Sequence, residues 1–239
     1  MIEKLLLKLR ARDDVSAEEE DILRGLVADT KEVAADVTVV RAQVDLSVSN
    51  ILLAGLMCRY KDLYNGERQI TELHVPGDFV DLHSFPLKRL DHNVMALVPC
   101  KIALVPHDRL HAITETHPHL TRLLWFMTTL DAAIHREWEL SLGRRTSSAR
   151  IAHVLCELHT RFQIVGMTQG YSYRLPLTQF DLAECLGLTA IHVNRTLREL
   201  RMSRLVTFRN KTVVIENFAG LAKLAEYDSD YLYVDKRPR

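Results

Sequence analysis

The period of the apolar positions changes twice along this chain, and the changes mark its parts. Residues 2–10 carry apolar side chains at helical spacing, and Ser16-Ala-Glu-Glu19 reads as a capping box ahead of Ile22, Leu23 and Leu26. Two short amphipathic helices are therefore expected first. From about residue 33 the texture becomes β-like, with Val33, Val37, Val39, Val40 and Val44 separated by polar residues. Residues 55–63 alternate, Asn65-Gly66 is a type I′ turn signal, and residues 68–74 alternate again, which predicts a β-hairpin. Pro76-Gly77-Asp78 marks another turn, and residues 94–98 and 100–105 read as further short strands. Many short strands with regular turns point to a small barrel or jelly roll.

At Pro118 the period becomes helical. Leu120, Leu123, Met127, Leu130, Ile134 and Ser141 follow a heptad-like spacing, with Trp138 four residues after Ile134. Such a seam fits a helix packed on its own core or one packed on a second helix. Gly143-Arg-Arg-Thr146 breaks this helix, and Ser147 starts another whose apolar residues are Ile151, Ala152, Val154, Leu155, Leu158 and Phe162. The predicted class is α+β, in three parts: a β-roll over 1–116, a long helix over 117–143 and a second domain over 144–239.

That second domain carries the most specific pattern. Thr178 is placed to cap a helix, with Asp181 three residues on as the return half of a capping box. Leu182, Ala183 and Leu186 give that helix an inner face, and Gly187 suits the left-handed turn that must follow. Thr189 caps a second helix in which Val193, Leu197 and Leu200 face inward, while His192, Arg195 and Arg198 face outward with Asn194 on the flank. Residues 205–208 and 212–215 then read as a hairpin, a wing, around Arg209-Asn-Lys211. This is a winged helix-turn-helix with a polar, cationic recognition helix. Arg195 is the candidate for reading a base edge, since arginine matches guanine O6 and N7 with two hydrogen bonds. Asn194 and His192 are secondary candidates, and Thr178, Gln179, Thr189, Arg198, Arg209 and Lys211 are candidates for the same DNA surface, several of them as phosphate contacts.

Charge supports that reading. The 239 residues sum to zero formal charge, but residues 1–143 hold 16 Lys and Arg against 22 Asp and Glu, while residues 144–239 hold 15 against 9. A net −6 half joined to a net +6 half fits a polyanion partner for the second half. The composition is otherwise that of an ordinary globular protein, 47% hydrophobic and 26% charged. No apolar run has the length to span a bilayer and the N-terminus lacks signal-peptide features, so no membrane partner and a cytoplasmic location are expected. Cys58, Cys100, Cys156 and Cys185 are scattered with no metal-ligand spacing, and are expected as free, buried thiols.

The order of parts resembles the Crp/Fnr superfamily of bacterial regulators along nearly the whole chain. The stretches that carry the resemblance are Cys58-Arg-Tyr-Lys61, Gly66-Glu-Arg-Gln-Ile70, Pro76-Gly-Asp-Phe79, Leu142-Gly-Arg-Arg145, Arg150-Ile-Ala-His153, Leu175-Pro-Leu-Thr-Gln179 and His192-Val-Asn-Arg195. The resemblance implies a double-stranded, cyclic-nucleotide-binding-like β-roll as sensor domain. It also implies a homodimer through the long helix, with Leu120, Leu123, Met127, Leu130, Ile134 and Trp138 as the dimer seam. Double-stranded DNA with a two-fold symmetric operator, and RNA polymerase, are the implied partners. At the start of the recognition helix, where the best-known members carry Arg and Glu, this chain has Ala190 and Ile191, so the usual half-site does not transfer.

The effector stretch departs from the family. Cyclic-nucleotide-binding members have a Gly-Glu pair and then an Arg followed by Ser or Thr. Here residues 80–93 contain neither, and Leu90-Asp91-His92 stands where the Arg should fall. An acid in place of a cationic clamp disfavours a phosphate ligand. Asp81, His83, Asp91 and His92 are candidates for a different effector pocket, or for hydrogen-bonded residues that close the roll. No cysteine cluster precedes Cys58 to hold an iron–sulfur centre, and neither a cofactor nor a metal is expected. The alternative class is a cupin-like metal-binding protein or enzyme, for which His107 with His111, or His117-Pro-His119, would have to supply ligands. No hydrolase, phosphate-loop or metalloprotease motif is present, so no enzymatic activity is expected.

Overall fold

The computed structural model describes residues 1–239. The first two apolar stretches fold as α1 (Glu3–Arg10) and α2 (Ala17–Gly25). Ser16 Oγ accepts the Glu19 N–H at 3.2 Å and the Glu19 carboxylate accepts the Ser16 N–H at 2.9 Å, so the capping box closes as its spacing predicts. Seven strands follow: β1 (Asp29–Val33), β2 (Thr38–Val40), β3 (Val48–Ala54), β4 (Met57–Asp62), β5 (Arg68–His74), β6 (Asn93–Ala96) and β7 (Cys100–Pro106). A single-turn helix α3 (Ser84–Leu87) lies between β5 and β6. The strands form two sheets, in the orders β1-β7-β3 and β2-β6-β4-β5. Val33, Val40, Leu52, Met57, Leu90, Val94, Cys100 and Ile102 fill one apolar cluster within this roll. A second cluster gathers α1, α2 and the start of the long helix, with Leu5, Leu6, Leu9, Leu23, Ile51 and Leu120 fully buried.

The β4–β5 hairpin turns differently from its dipeptide signal. Of Asn65 and Gly66 only the glycine has positive φ, at 86°. Gly66 N–H donates to Leu63 O at 3.0 Å and Leu63 N–H to Glu67 O at 2.8 Å. This is a three-residue loop with a left-handed glycine at its third position, not a type I′ turn. Asn65 uses its side chain instead, and Oδ1 accepts the Glu67 N–H at 3.0 Å. At the next turn Gly77 has φ 96°, and a Cβ there would lie 2.7 Å from the Lys4 carbonyl group. Only glycine lets α1 approach this closely.

Next come α4 (His107–Thr116) and α5 (Pro118–Arg144). Gly143 stays inside α5, and the break falls at Arg145, two residues later than its composition suggests. The expected dimer seam is corrected by burial. Leu120, Leu123, Leu130, Ile134 and Trp138 are 0–7% exposed within the single chain, and Met127 is half-buried against the same core as Leu120 and Leu123. The seam faces the chain's own interior because it is the most apolar stripe on the helix. The outward face carries Trp125, Thr129, Ala132, Arg136 and Leu140.

The remaining elements are α6 (Ser147–Ile164), β8 (Thr168–Gln169), β9 (Ser172–Arg174), α7 (Gln179–Leu186), α8 (Ala190–Met202), β10 (Val206–Arg209), β11 (Thr212–Ile215) and α9 (Phe218–Ala225). Their four strands form one sheet in the order β10-β11-β9-β8. Beneath this sheet, Glu157 on α6 is fully buried. Its carboxylate accepts from Trp138 Nε1 at 3.0 Å, Arg161 Nη1 at 3.0 Å and the Tyr231 hydroxyl at 2.9 Å.

Contacts group the chain differently from the three expected spans. One unit holds residues 1–61, 73–133 and 233–239, and the other holds 62–72 and 134–232. The hairpin tip belongs to the second unit because Gln69 bonds backbone carbonyls of α7, and the C-terminal residues belong to the first because Arg239 and Arg237 bond Asp13 and the Arg12 carbonyl. All four cysteines are buried and none is in a disulfide, and burial pushes the Cys156 thiol up to about 12. No helix is long and apolar enough to cross a membrane.

Candidate nucleic-acid interface

Helix α7 is set by its ends. Thr178 Oγ1 accepts the Asp181 N–H at 3.1 Å, and Asp181 Oδ2 accepts the Thr178 N–H at 2.6 Å. At the other end Gly187 adopts φ 60°, and both its N–H and that of Leu188 reach Ala183 O. The last carbonyls of α7 are taken by side chains. Gln69 Nε2 donates to Glu184 O and Cys185 O at 2.8 and 3.2 Å, and Arg150 Nη1 donates to Leu186 O at 2.9 Å. The carbonyl end of α7 is thus satisfied without solvent, which fixes the angle at which α8 begins. Thr189 Oγ1 accepts the His192 N–H at 3.2 Å and caps α8.

Burial sets the rotation of α8. Val193, Thr196 and Leu200 are the buried residues, packing where Leu182, Ala183 and Leu186 of α7 are also buried. Leu197, expected on that inner face, is only half-buried, and Thr196 takes the central position instead. The inward direction is therefore turned by one residue, toward 193, 196 and 200.

The outward face carries the predicted polar set. Asn194 Nδ2 donates to Gln179 Oε1 at 3.1 Å, tying the start of α7 to α8. Arg195 Nη2 lies 3.1 Å from His192 Nε2 and its Nε 3.9 Å from Glu199. Both contacts are solvent-exposed and easily exchanged for contacts to DNA. Gln179, Ala190, Ile191, Asn194, Arg195 and Arg198 line one open concavity. In the wing, Asn210 and Lys211 have φ 50° and 60°, the two-residue left-handed loop of a tight hairpin, and Arg209 and Lys211 stand exposed at its tip. Thr178 and Thr189 spend their hydroxyls on the two caps, so their contribution is to hold the helix starts.

Two exposed apolar residues on this face were not assigned a role from sequence. Ile191 is 84% exposed at the start of α8, and Phe180 is 74% exposed on the first turn of α7. An exposed isoleucine beside Arg195 suits the methyl group of a thymine. The signal for it was the phase of α8, which puts residue 191 on the same face as 194, 195 and 198.

The four residues of the expected effector pocket do not form one pocket. Asp81 points inward, fully buried, and its carboxyl group accepts the Asn50 N–H and Asn50 Nδ2, both at 2.6 Å. Burial pushes its pKa up to about 7, against the opposing effect of the Asn50 bonds and the Arg59 charge. His83, Asp91 and His92 do come together. His83 Nε2 lies 3.3 Å from His92 Nε2, His92 Nδ1 lies 2.8 Å from Asp91 Oδ1, and Asp91 Oδ2 accepts from Lys61 at 2.6 Å. Lys61 and then His92 hold the Asp91 carboxyl well below the usual carboxylate range.

The histidines weighed for a cupin-like site are dispersed. His107 is buried, with Nε2 3.1 Å from Ser49 Oγ and 3.3 Å from Ser84 Oγ, and burial lowers its pKa. His111 is exposed and sits 3.6 Å from Glu115. His119 lies between Glu19 and Asp13, at 2.5 and 3.4 Å, and those carboxylates raise its pKa. No group of three or more His, Cys, Asp or Glu side chains is arranged to hold a metal ion.

Residues 149–224 match the Crp-like helix-turn-helix domain family. The transcriptional activator protein FnrA of Stutzerimonas stutzeri is 28% identical over 160 residues, which cover 67% of this chain and 65% of that protein. The transcriptional activator protein FnrL of Cereibacter sphaeroides is 29% identical over 185 residues, 75% of this chain and 73% of that one. Among solved structures, FixK2 from Bradyrhizobium japonicum shares the fold with a TM-score of 0.74 at 24% identity, over 85% of this chain and all of the other.

Proposed function

Because the chain belongs to the Crp/Fnr family of transcriptional regulators, not to an enzyme family, we propose that it acts as a homodimer on a two-fold symmetric DNA operator. Each protomer presents α8 to a major groove, with half-sites about one helical turn apart. The observation that carries this reading is the concavity of α7 and α8, where Arg195 and Arg198 stand beside Asn194 and Ile191 with no buried counter-charge. Arg195 reads a base edge, Asn194 and His192 assist, and Ile191 meets a thymine methyl. Arg198 and the wing-tip Arg209 and Lys211 neutralise phosphates, Gln179 contacts the backbone, and Thr178 and Thr189 aim the two helix starts. RNA polymerase is the further partner that this role calls for.

The dimer contact follows the outward stripe of α5. Trp125, Thr129, Ala132 and Arg136 are exposed at alternating spacings of four and three, with Leu140 four residues further on. That is the repeat two parallel helices need, and Thr129 and Ala132 are small enough for close approach. A cyclic nucleotide is not the effector in this reading. The interior of the roll is occupied by apolar side chains, and the ionised Asp91 would face a phosphate.

Selection from random duplex DNA, followed by a salt titration on the selected site, tests the proposal. With about three cation–phosphate contacts per protomer, log K should fall against log salt with a slope of about −5. A symmetric selected site and a steep slope are expected. Absence of any selected site, or binding insensitive to salt, would overturn the reading.

A further inference from the structure

We propose that His83 and His92 form a binding site for a divalent transition-metal ion on the β-roll, with Asp91 as the carboxylate that orients His92. The two Nε2 atoms are 3.3 Å apart and the ring centroids 5.2 Å apart, with the planes inclined at 38°. Two imidazoles bound through Nε2 to one tetrahedral ion at about 2.05 Å hold those nitrogens about 3.3 Å and their centroids about 5.2 Å apart. A straight N–H···N hydrogen bond of the same length would separate the centroids by about 5.6 Å. The observed separation is shorter than that of a straight hydrogen bond and equals that of two imidazoles sharing one ion.

The surroundings favour an ion at that point. Asp91 Oδ1 lies 2.8 Å from His92 Nδ1, which places the ring proton on Nδ1 and leaves the Nε2 lone pair directed at the gap. A carboxylate behind a histidine in this way is the usual outer partner of a metal-bound imidazole, and Lys61 anchors its other oxygen at 2.6 Å. The bound ion takes the place of the proton shared by the two Nε2 atoms, which is released to solvent. His83 immediately precedes α3 and His92 immediately precedes β6, so an ion would clip the intervening segment of the roll together. No third protein ligand converges, so solvent completes the coordination. Imidazole donors of this number select zinc, cobalt, nickel or copper over magnesium or calcium.

The test of this site reads the metal alone. The full-length protein, stripped with a chelator, is titrated with cobalt(II) while the visible ligand-field bands are followed, and zinc is then added in competition. One equivalent of cobalt should generate the bands and zinc should abolish them. His83→Gln and His92→Gln should each weaken binding at least tenfold. Asp91→Asn, which keeps both ligands, should weaken it by about tenfold or more. Absence of bands in the wild-type protein overturns the proposal whatever the variants do. Bands that persist in the His83→Gln/His92→Gln double variant place the ion on other histidines and overturn it equally.

Discussion

Replacing Arg195 by alanine separates base reading from simple attraction to DNA. In the free protein this side chain is 66% exposed. Its contacts are one exposed hydrogen bond to His192 at 3.1 Å and a 3.9 Å approach to Glu199. Losing them should move folding stability by no more than about 0.5 kcal/mol, as for an exposed site without a special role. The loss on binding is larger, because a bidentate arginine–guanine pair is worth about 1–3 kcal/mol per half-site. Two half-sites double this to about 2–6 kcal/mol for a symmetric operator if they contribute independently. The assay is fluorescence anisotropy at fixed salt on four duplexes, the selected operator and the three that differ from it at the one base pair opposite Arg195 in both half-sites. The wild-type protein should discriminate among the four, and Arg195→Ala should bind them nearly equally. Lys211→Ala is the control, expected to weaken all four alike and to reduce the salt slope by about 1 per half-site. If Arg195→Ala weakens all four equally while discrimination survives, Arg195 is a phosphate contact and the assignment fails.

Three further predictions concern the scaffold. Leu123→Ala should cost about 2–5 kcal/mol of folding stability in urea unfolding, as a core residue does, whereas Ala132→Glu on the outward face of α5 should convert a dimer to a monomer by light scattering with the fold intact. Glu157→Ala strands the buried Arg161 and the Trp138 N–H, and should cost about 3–5 kcal/mol, with Glu157→Leu/Arg161→Met together costing less than Glu157→Ala alone. Asp81 binds a proton more tightly in the folded than in the unfolded protein, with a folded value of about 7. Its contribution to stability is therefore full below its unfolded value and is lost as pH rises toward 7. Asp81→Asn should flatten that part of the stability–pH curve, and an unchanged slope would show that Asp81 is ionised throughout.

The α5 seam shows where sequence patterning stops. A heptad-like stripe reports that one side of a helix is buried, not what buries it. The stripe at 120, 123, 127, 130, 134 and 138 is the more apolar one, and the chain's own core claims it. The outward stripe contains Thr129, Ala132 and Arg136, which no hydrophobicity pattern singles out. By contrast, the helix-turn-helix was legible almost to the residue, because its caps and its glycine act through neighbours three or four positions away. Leu197 and Thr196 exchanged roles because one step of a helix turns only about 100°, and side-chain size then decides which position is central. The His83–His92 approach was invisible as a pair. Eight residues that include a helical turn separate them, and neither lies in a recognised ligand spacing. The Asn65-Gly66 signal correctly located a hairpin and mistook its type, since the Asn65 side chain supplied an acceptor that the backbone of a type I′ turn does not need.

The wing turn has a consequence for engineering. Lys211 occupies a left-handed conformation, φ 60°, that costs a lysine roughly 1 kcal/mol more than a glycine. Lys211→Gly would thus give a protein that melts later, by relieving strain in the hairpin, and grips DNA less well, by removing a charge from its tip. A screen that ranks variants by thermal tolerance would select this change and, in doing so, remove a cation from the proposed DNA surface. At this position backbone relaxation and surface charge pull in opposite directions, and lysine keeps the charge at the cost of the strain.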